Sequence, residues 1–261
     1  MSSVNVSLVQ THTHWHDPAA NRALFDIWLD EVPQGTHLVV LPEMFSTGFT
    51  MAGRQVAETM DGETIAWMRS RAASLDAVVC GSLVIADGPQ VFNRMLWVEP
   101  GGSVTSYDKR HLFRMAQETD HYAAGTKRVV VELNGLRLCL AVCYDLRFPV
   151  WLRNRRDYDA LVVVANWPAA RVDAWLTLLR ARAIENQAYV VGVNILGEDG
   201  AGVVYNGGSA VYDFVGTALV PPSSKAEVVS ATLDLDQLAQ YREEFPAWQD
   251  ADEFTVNDSG E

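Results

Sequence analysis

Short apolar runs of strand length alternate with segments of helical periodicity along most of this chain. A strand that is apolar at nearly every position is buried on both faces, as in parallel sheets covered by helices. Alternation of such strands with helices indicates an α/β protein in which helices cover the sheets. The clearest apolar runs are 38–41, 138–142 and 160–165.

The same order of elements is predicted twice. Residues 4–98 read as β-α-β-α-β-β, and a similar order follows over residues 136–213. The two halves share a layout without obvious sequence identity, so the repeat is architectural. Two such halves could stack sheet on sheet, which gives four α-β-β-α layers, or they could join in one wide doubly wound sheet.

The charge of the chain bears on its partners. Its 261 residues have a formal net charge of −13. Proteins that bind duplex nucleic acid need a basic surface that displaces counterions, so we expect no nucleic acid partner and, for the same reason, no anionic membrane. Residues 1–6 lack the basic and apolar regions of a secretory signal, and no apolar run reaches the ~18 residues that span a bilayer.

The cysteines indicate a reducing environment. Cys80, Cys139 and Cys143 form no CxxC pattern, and an odd count favours neither a disulfide framework nor a zinc site. On one strand, Cys139 and Cys143 would lie roughly 13 Å apart, beyond the about 7 Å between Cα atoms that a disulfide allows. We therefore expect a cytoplasmic protein with reduced thiols. No nucleotide-binding fingerprint is present, and we expect no cofactor and no metal.

Cys143 lies where an apolar run changes abruptly into a charged, proline-containing segment. Residues 138–142 have the length of a strand, and Pro149 is typical of the first turn of a helix. This pattern predicts strand, tight turn and helix, with Cys143 in the turn. A nearby helix N-terminus favours a thiolate, so Cys143 is a candidate nucleophile. The alternative is a small buried hydrophobic residue, as most free cysteines are.

Two further reactive side chains follow predicted strand ends. Glu43 comes after the run 38–41, and Lys109 comes after the predicted strand 104–107. Ligands of open α/β sheets bind at the carboxyl ends of strands. Glu43 could accept the thiol proton of Cys143, and Lys109 could stabilise both the Glu43 carboxylate and the negative charge of a tetrahedral intermediate.

The segments around these residues resemble the nitrilase superfamily, the carbon–nitrogen hydrolases with a Glu-Lys-Cys triad. The matching segments are 41–45, 107–113, 142–149, 165–168 and 181–187. The similarity extends over about residues 4–254, so residues 1–261 are expected to form a single domain of this type. The C-terminal segment 243–250 is most similar to that of bacterial omega-amidases. The resemblance implies the four-layer α-β-β-α sandwich and a homodimer or higher homo-oligomer.

The resemblance also implies a mechanism. Cys143 attacks an amide carbon after Glu43 takes its proton, and a thioester forms with release of ammonia. Lys109 and the backbone N–H of Tyr144 hold the oxyanion, and Glu118 matches a second active-site carboxylate of the family. The implied substrate is the ω-amide of a short α-keto dicarboxylic acid, such as 2-oxoglutaramate.

A substrate with a carboxylate needs a cation besides Lys109. The candidates are Arg114, Arg147 and Arg171, although we expect Arg147 to pair with Asp145 and brace the turn. The substrate-binding residues predicted with them are Phe45, Asn166 and Trp167, of which Phe45 and Trp167 could equally belong to the core.

Other interpretations stay open at this point. The same triad would serve a nitrilase or an N-carbamoyl hydrolase, and a binding protein could keep the fold without turnover. A Cys–His dyad with His111 or His121 ranks second, and Arg182 with Glu185 is expected to brace packing. The spacing of His12, His14 and His16 allows a metal site, which we do not expect because no Cys or paired carboxylate completes the set. The acidic tail 245–261 is expected to dock on a neighbouring subunit through its aromatic residues, or else to fray.

Overall fold

The computed structural model of the chain describes residues 3–256. Its helices are α1 (Pro18–Leu29), α2 (Glu63–Leu75), α3 (Glu118–His121), α4 (Pro149–Leu152), α5 (Val172–Asn186) and α6 (Leu235–Glu244). Its strands are β1 (Ser3–Gln10), β2 (Leu38–Val40), β3 (Val78–Asp87), β4 (Gln90–Val98), β5 (Val104–Asp108), β6 (Val130–Leu133), β7 (Leu136–Val142), β8 (Ala160–Val164), β9 (Tyr189–Val193), β10 (Leu196–Glu198), β11 (Val204–Asn206), β12 (Ala210–Tyr212), β13 (Ala218–Val220) and β14 (Glu227–Asp234).

The strands form two six-stranded sheets and one short hairpin. The first sheet has the order β14-β1-β2-β3-β4-β5, the second has the order β13-β12-β9-β8-β7-β6, and β10 pairs with β11. The central strands β1, β2 and β3 run parallel, as do β7, β8 and β9. The two halves therefore repeat one layout, as the sequence predicted.

The two sheets pack face to face. Val6, Leu8 and Val40 of the first sheet share one buried cluster with Leu138 and Leu140 of the second. The opposite face of the first sheet packs on α1 and α2, whereas α5 covers the second sheet. Strands covered on both faces must be apolar throughout, which explains the continuous runs. The four-layer α-β-β-α arrangement is confirmed, and the single wide sheet is wrong.

Local signals set several element boundaries. Asp17 caps α1 by accepting a hydrogen bond from the N–H of Ala20 at 2.9 Å, with Pro18 at the first helical position. Asp234 caps α6 in the same way through the N–H of Gln237. Both follow the preference of Asp for the position before a helix.

The helix predicted after Cys143 differs from the prediction. Cys143–Arg147 forms a 3-10 turn, and α4 that follows Pro149 has only four residues. Asn154 ends this segment with a turn of its own, since its side-chain oxygen accepts the N–H of Asp157 at 3.1 Å. Cys143 therefore lies at the start of a short 3-10 turn, so the dipole of a long α-helix does not act on its thiol.

The tail packs on its own chain as far as the structure describes it. The guanidinium of Arg156 lies 3.7 Å from the ring centroid of Trp248, and that of Arg155 lies 4.6 Å from Phe254. Residues 257–261 of the predicted tail lie outside the described residues. Within residues 3–256 no helix has the length and apolar character of a membrane span.

Candidate active site

Four reactive side chains meet at one edge of the sandwich. Glu43 follows β2, Lys109 follows β5, and Cys143 follows β7, while Glu118 begins α3 in the loop after Lys109. β5 runs parallel to β2 because β4 reverses direction between β3 and β5. The carboxyl ends of all three strands therefore point to the same edge, and the stacking of the two sheets brings Cys143 opposite Glu43 and Lys109.

The Glu43 carboxylate is fully buried and accepts three hydrogen bonds. Its Oε1 accepts from Lys109 Nζ at 2.9 Å and from Asn93 Nδ2 at 2.7 Å, and its Oε2 accepts from the backbone N–H of Asn166 at 2.8 Å. Asn166 also donates its side-chain amide to the backbone oxygen of Glu43 at 2.8 Å. The carboxylate is thus held in one orientation by both sheets.

Lys109 lies between two carboxylates. Its Nζ donates to both oxygens of Glu118, at 3.0 and 2.9 Å, as well as to Glu43. Burial opposes the charge of the ammonium, but Glu118 and Glu43 outweigh it and raise the pKa of Lys109. The two contacts to Glu118 reach one carboxylate, which a single N–H can share, so one hydrogen of the ammonium has no acceptor among residues 3–256.

Glu118 is fully buried as well, and its surroundings oppose ionisation. Burial raises its pKa, and the nearby charge of Glu43 raises it further, against the lowering effect of Lys109. The backbone N–H of Phe113 donates to its Oε2 at 2.6 Å, and Asn93 Nδ2 reaches its Oε1 at 3.2 Å. Two carboxylates and one ammonium thus form a connected group beside the thiol.

The Cys143 thiol opens to solvent only through the cavity. The residue is 9% exposed and has a left-handed backbone, with φ of 46°. This conformation is uncommon for a residue with a side chain and is typical of functional sites. Burial and the adjacent Glu43 carboxylate raise the pKa of the thiol well above its ordinary value. A thiol in this setting would need a base to take its proton before it could act as a nucleophile.

Asp145 fixes the turn that presents Cys143. One of its oxygens accepts from the hydroxyl of Tyr107 at 2.7 Å and from the backbone N–H of Val142 at 3.0 Å. The other accepts from the backbone N–H and Nδ1 of His111 at 2.9 and 2.8 Å. Asp145 has no hydrogen bond to Arg147 in the described chain, so the expected pairing of these two residues is wrong.

The thiol opens into a cavity of about 910 Å³ with mostly apolar walls. Of the predicted site residues, those that line it are Cys143, Tyr144, Asn166, Trp167 and Arg171, and Arg147 lines it too. The N–H of Tyr144 belongs to the first turn of the 3-10 segment, where N–H groups have no acceptor within the helix. It is therefore free to donate to an oxyanion.

Two predicted substrate-binding residues lie elsewhere. Phe45 is fully buried between Phe25 and Trp67. It belongs to the cluster that the first sheet forms with α1 and α2, and it therefore does not line the cavity. Arg114 is exposed on the loop and is not among the cavity walls. Neither residue is placed to contact a substrate in this cavity.

The histidines do not assemble a second site. His111 stacks on Phe148 and bonds to Asp145, and neither His111 nor His121 lines the cavity. A Cys–His dyad therefore has no geometric support. His16 stacks on Trp15 and bonds to Thr50 instead of facing His12 and His14.

Sequence reasoning missed Asn93 and Tyr107. Asn93 is a fully buried polar residue in β4, and its oxygen accepts from Ser82 Oγ at 2.8 Å while its amide bonds to both carboxylates. A lone Asn inside an otherwise apolar strand is a weak signal of such a role. Tyr107 gave no signal, since a Tyr in a strand is common.

Comparison with known proteins identifies relatives of nearly full length. Residues 5–243 match the carbon–nitrogen hydrolase family. The chain is 47% identical to the omega-amidase YafV of Escherichia coli over 98% of its own length and 100% of the relative. It is 30% identical to the 2-oxoglutaramate amidase of Bacillus subtilis, over 94% and 96% of the two chains.

Solved structures show the same architecture. XC1258 from Xanthomonas campestris, a CN-hydrolase superfamily protein with an arsenic adduct in its active site, superimposes with a TM-score of 0.96 and 46% identity, over 98% of this chain and 100% of the other. An amidase from Nesterenkonia superimposes with a TM-score of 0.80 and 25% identity, over 95% and 97% of the chains.

Proposed function

The chain belongs to the carbon–nitrogen hydrolase family and is an amide-hydrolysing enzyme, and we propose that it is an omega-amidase that converts 2-oxoglutaramate to 2-oxoglutarate and ammonia. The observation that carries the proposal is the buried contact of Lys109 with Glu43, at 2.9 Å, beside the Cys143 side chain that lines the cavity. Homology to enzymes of this activity supplies the substrate class.

The first half of the proposed reaction forms a thioester. Glu43 takes the proton of the Cys143 thiol as the sulfur attacks the amide carbon. The carbonyl oxygen becomes negative and accepts from Lys109 Nζ and the N–H of Tyr144. The C–N bond then breaks as Glu43 returns the proton to the leaving nitrogen, which departs as ammonia.

The second half hydrolyses the thioester. Glu43 takes a proton from water, whose oxygen attacks the thioester carbon at the site that ammonia left. The same two donors hold the second oxyanion, and the C–S bond breaks. The sulfur recovers the proton from Glu43. The product acid gives its remaining proton to solvent and leaves as a carboxylate. Glu118, through its two contacts with Lys109, keeps the ammonium at the oxyanion position.

The substrate assignment is tested by ammonia release from 2-oxoglutaramate, succinamate, a simple nitrile and an N-carbamoyl amine. We expect turnover of both amides and none of the nitrile. Cys143→Ala should abolish turnover of both amides while the circular dichroism spectrum is retained. Preferred turnover of the nitrile or of an N-carbamoyl amine would replace the omega-amidase assignment. Binding of 2-oxoglutaramate without turnover would favour a non-catalytic binding protein.

Assembly and location are part of the proposal. We propose a homodimer in the cytoplasm, with the three cysteines reduced. Val150, Ile184 and Phe245 are 59%, 48% and 58% exposed. They lie on neighbouring segments, since Arg153 donates to the Glu185 oxygen and Gln187 to the Phe245 oxygen. A monomer in light scattering at micromolar concentration would refute the dimer. Docking of the tail on a second subunit stays a prediction.

A further inference from the structure

We propose that the hydroxyl of Tyr205 accepts a hydrogen bond from the amide nitrogen of the substrate and makes the enzyme selective for primary amides over esters of the same acid. This inference rests on the proposed omega-amidase function, because it assumes an amide group held between Cys143 and Glu43. The β10-β11 hairpin, which supplies none of the proposed catalytic groups, then determines which leaving group the enzyme accepts.

Tyr205 lies in the cavity wall close to the reacting groups. Its side chain is 4% exposed and lines the same cavity as Cys143. Burial raises the pKa of the phenol, Asp199 raises it further, and the negative charges that Glu43 and Cys143 can carry raise it as well. A reacting amide must lie between the Cys143 sulfur and the Glu43 carboxylate, so Tyr205 borders the space of its leaving nitrogen.

The hydroxyl of Tyr205 is an acceptor toward the cavity. Its one hydrogen is donated to Asp199 Oδ2 at 2.8 Å. The other oxygen of Asp199 accepts from the N–H groups of Ala201 and Val203, at 2.9 and 3.0 Å, and an ionised carboxylate only accepts hydrogen bonds. Within residues 3–256 no group donates to the Tyr205 oxygen, so its lone pairs are left for a donor in the cavity.

The hairpin that carries Tyr205 is held at both ends. At its tip Gly200 lies against the indole of Trp15, where an added Cβ atom would lie 2.4 Å from Nε1. At its base the backbone oxygen of Gly207 accepts from the side-chain amide of Asn194 at 2.7 Å, and Asn194 is fully buried. The hydroxyl therefore has a defined position relative to the other cavity walls.

The amide is the only hydrogen-bond donor of the proposed substrate. In 2-oxoglutaramate the keto group and the carboxylate can only accept, whereas the amide nitrogen carries two hydrogens. An acceptor in the cavity wall therefore recognises the amide end and no other part of the molecule. An ester has an oxygen in place of that nitrogen, so it leaves the Tyr205 oxygen without a donor, which costs free energy in a buried site.

The contact strengthens as the C–N bond breaks. In the proposed reaction Glu43 returns its proton to the nitrogen, which then carries positive charge while it is still bonded to carbon. A hydrogen bond that involves a charged group is about twice as strong as a neutral one, and the Asp199 carboxylate behind the hydroxyl polarises it further. Tyr205 thus stabilises the transition state for departure of ammonia more than it stabilises the bound substrate.

A second acceptor lies in the same wall. Asn166 lines the cavity and is 3% exposed, and its Oδ1 is buried without a hydrogen-bond partner among residues 3–256. Its backbone N–H and its side-chain amide both donate to Glu43, so this oxygen is fixed next to the base. An unpaired buried acceptor is costly, and the second N–H of the leaving nitrogen supplies a partner for it.

The experiment compares two substrates that share an acyl group. 2-Oxoglutaramate and the 5-methyl ester of 2-oxoglutarate form the same thioester with Cys143, so a difference in kcat/KM arises before the leaving group departs. Tyr205→Phe removes the hydroxyl alone. It should lower kcat/KM for the amide by about 10- to 100-fold, the range for a hydrogen bond to a charged group, and that for the ester by less than about threefold. If the ester binds without turnover, its inhibition constant replaces kcat/KM.

Asp199→Asn reverses the hydrogen bond to the hydroxyl. The introduced side-chain oxygen keeps the two loop N–H groups, and the introduced NH2 donates to the Tyr205 oxygen, whose own hydrogen then turns toward the cavity. This variant should lose activity on the amide as selectively as Tyr205→Phe does, with the ester unaffected or faster. A merely structural role of the hydroxyl would not distinguish the two substrates.

Tyr189→Phe is the matched control. Its buried hydroxyl donates to the backbone oxygen of Asp234 at 3.0 Å, and Tyr189 is not among the cavity walls. The control should leave the ratio of amide to ester turnover unchanged. Circular dichroism and the midpoint of thermal unfolding report folding in every variant. Equal losses on both substrates in Tyr205→Phe, an unchanged rate on the amide, or a loss confined to the ester would overturn the proposal.

Failure of the parent proposal gives a different result. If the unmodified enzyme does not hydrolyse 2-oxoglutaramate, the omega-amidase assignment fails, and the variants are compared on succinamate and monomethyl succinate. A selective loss on succinamate in Tyr205→Phe supports the contact with the leaving nitrogen without the 2-oxoglutaramate assignment. An unmodified enzyme that hydrolyses a nitrile and neither amide would refute both, since a nitrile has no N–H.

Discussion

Tyr107 donates its hydroxyl to Asp145 over 2.7 Å and thereby joins the two sheets beneath the active site. Tyr107 lies two residues before Lys109, and Asp145 lies two residues after Cys143. One hydrogen bond thus couples the strand that positions the ammonium to the turn that positions the thiol. The hydroxyl also accepts from Trp151 Nε1 at 3.1 Å and from the backbone N–H of Arg110 at 3.3 Å, so its removal leaves these two donors without that acceptor.

Tyr107→Phe should lower kcat by about tenfold and destabilise the fold by about 1–2 kcal/mol, since a lost buried hydrogen bond leaves its partners unsatisfied and misaligns the reacting groups. Steady-state kinetics and urea unfolding measure the two effects. Tyr158→Phe is the matched control, because that buried hydroxyl donates to the Leu152 oxygen away from the cavity. It should lose similar stability with kcat unchanged. Equal kcat losses in both variants would contradict a positioning role of Tyr107.

Asn93→Asp should reduce kcat/KM by at least about 100-fold. The substitution replaces an amide that donates to Glu43 and Glu118 by a third carboxylate in a buried site, where like charges oppose ionisation. Asn186→Asp changes another buried Asn, whose amide donates to the Arg182 oxygen far from the cavity, and should affect stability alone. A fully active Asn93→Asp enzyme would show that Asn93 does not support the two carboxylates.

The thiolate of Cys143 should be absent from the resting enzyme at neutral pH. Its pKa is raised by burial and by Glu43, so the protonated form persists through pH 7 and beyond the ordinary value of 9.0. The ultraviolet absorbance difference between the unmodified enzyme and Cys143→Ala should show no thiolate step from about pH 6 to 9. Burial also raises the pKa of Cys139, to about 11, and that of Cys80. These two thiols should therefore add no thiolate absorbance over this pH range. A step with a midpoint near pH 7 would mean a preformed thiolate.

Asp159→Asn should destabilise the fold by only about 1–3 kcal/mol at pH 7, because solvent screens the partly exposed Arg137 and Arg242. Burial opposes ionisation of Asp159, but hydrogen bonds from the two arginines outweigh it and lower its pKa. Because the pKa of Asp159 is lower in the folded state than the unfolded value of 3.8, its ionised carboxylate stabilises the folded protein above that pH. This stabilisation is lost as the pH falls and the carboxylate is protonated.

The unfolding free energies of the two proteins should therefore differ by a constant amount above about pH 5 and converge below about pH 4. Urea unfolding across this range measures the difference. Asp30→Asn is the control, since its contact with Arg71 is 3.6 Å long and Asp30 is 74% exposed, and it should cost less than about 0.5 kcal/mol. A difference that grows as pH falls would contradict the assigned sign.

Local patterns were sufficient to predict most elements and the strand ends at which three candidate site residues lie. Glu43, Lys109 and Cys143 each follow a strand whose apolar run is visible in the sequence, and the carboxyl ends of strands are where α/β proteins bind ligands. The helix after Cys143 was overestimated, because Asn154 and the residues after it form a turn of their own through side-chain hydrogen bonds.

The substrate pocket was the least predictable part. Phe45 and Trp167 have the same aromatic character in sequence, yet Phe45 packs between α1 and α2 while Trp167 lines the cavity. Arg147 and Asp145 are two residues apart, which made a pairing plausible, but Asp145 is occupied by donors from residues 107 and 111. Such competition between partners far apart in the chain leaves no local pattern.

The amino-acid sequence by itself determined the strands, the apolar faces and the ends at which reactive side chains stand, because those depend on residue character and short-range geometry. Only the tertiary structure decided that two sheets stack and bring Glu43, Lys109 and Cys143 together, and that Asn93, Tyr107 and Asp145 hold them there. These contacts join residues 38 to 66 positions apart, and the burial that makes each hydrogen bond obligatory exists only once both sheets are packed.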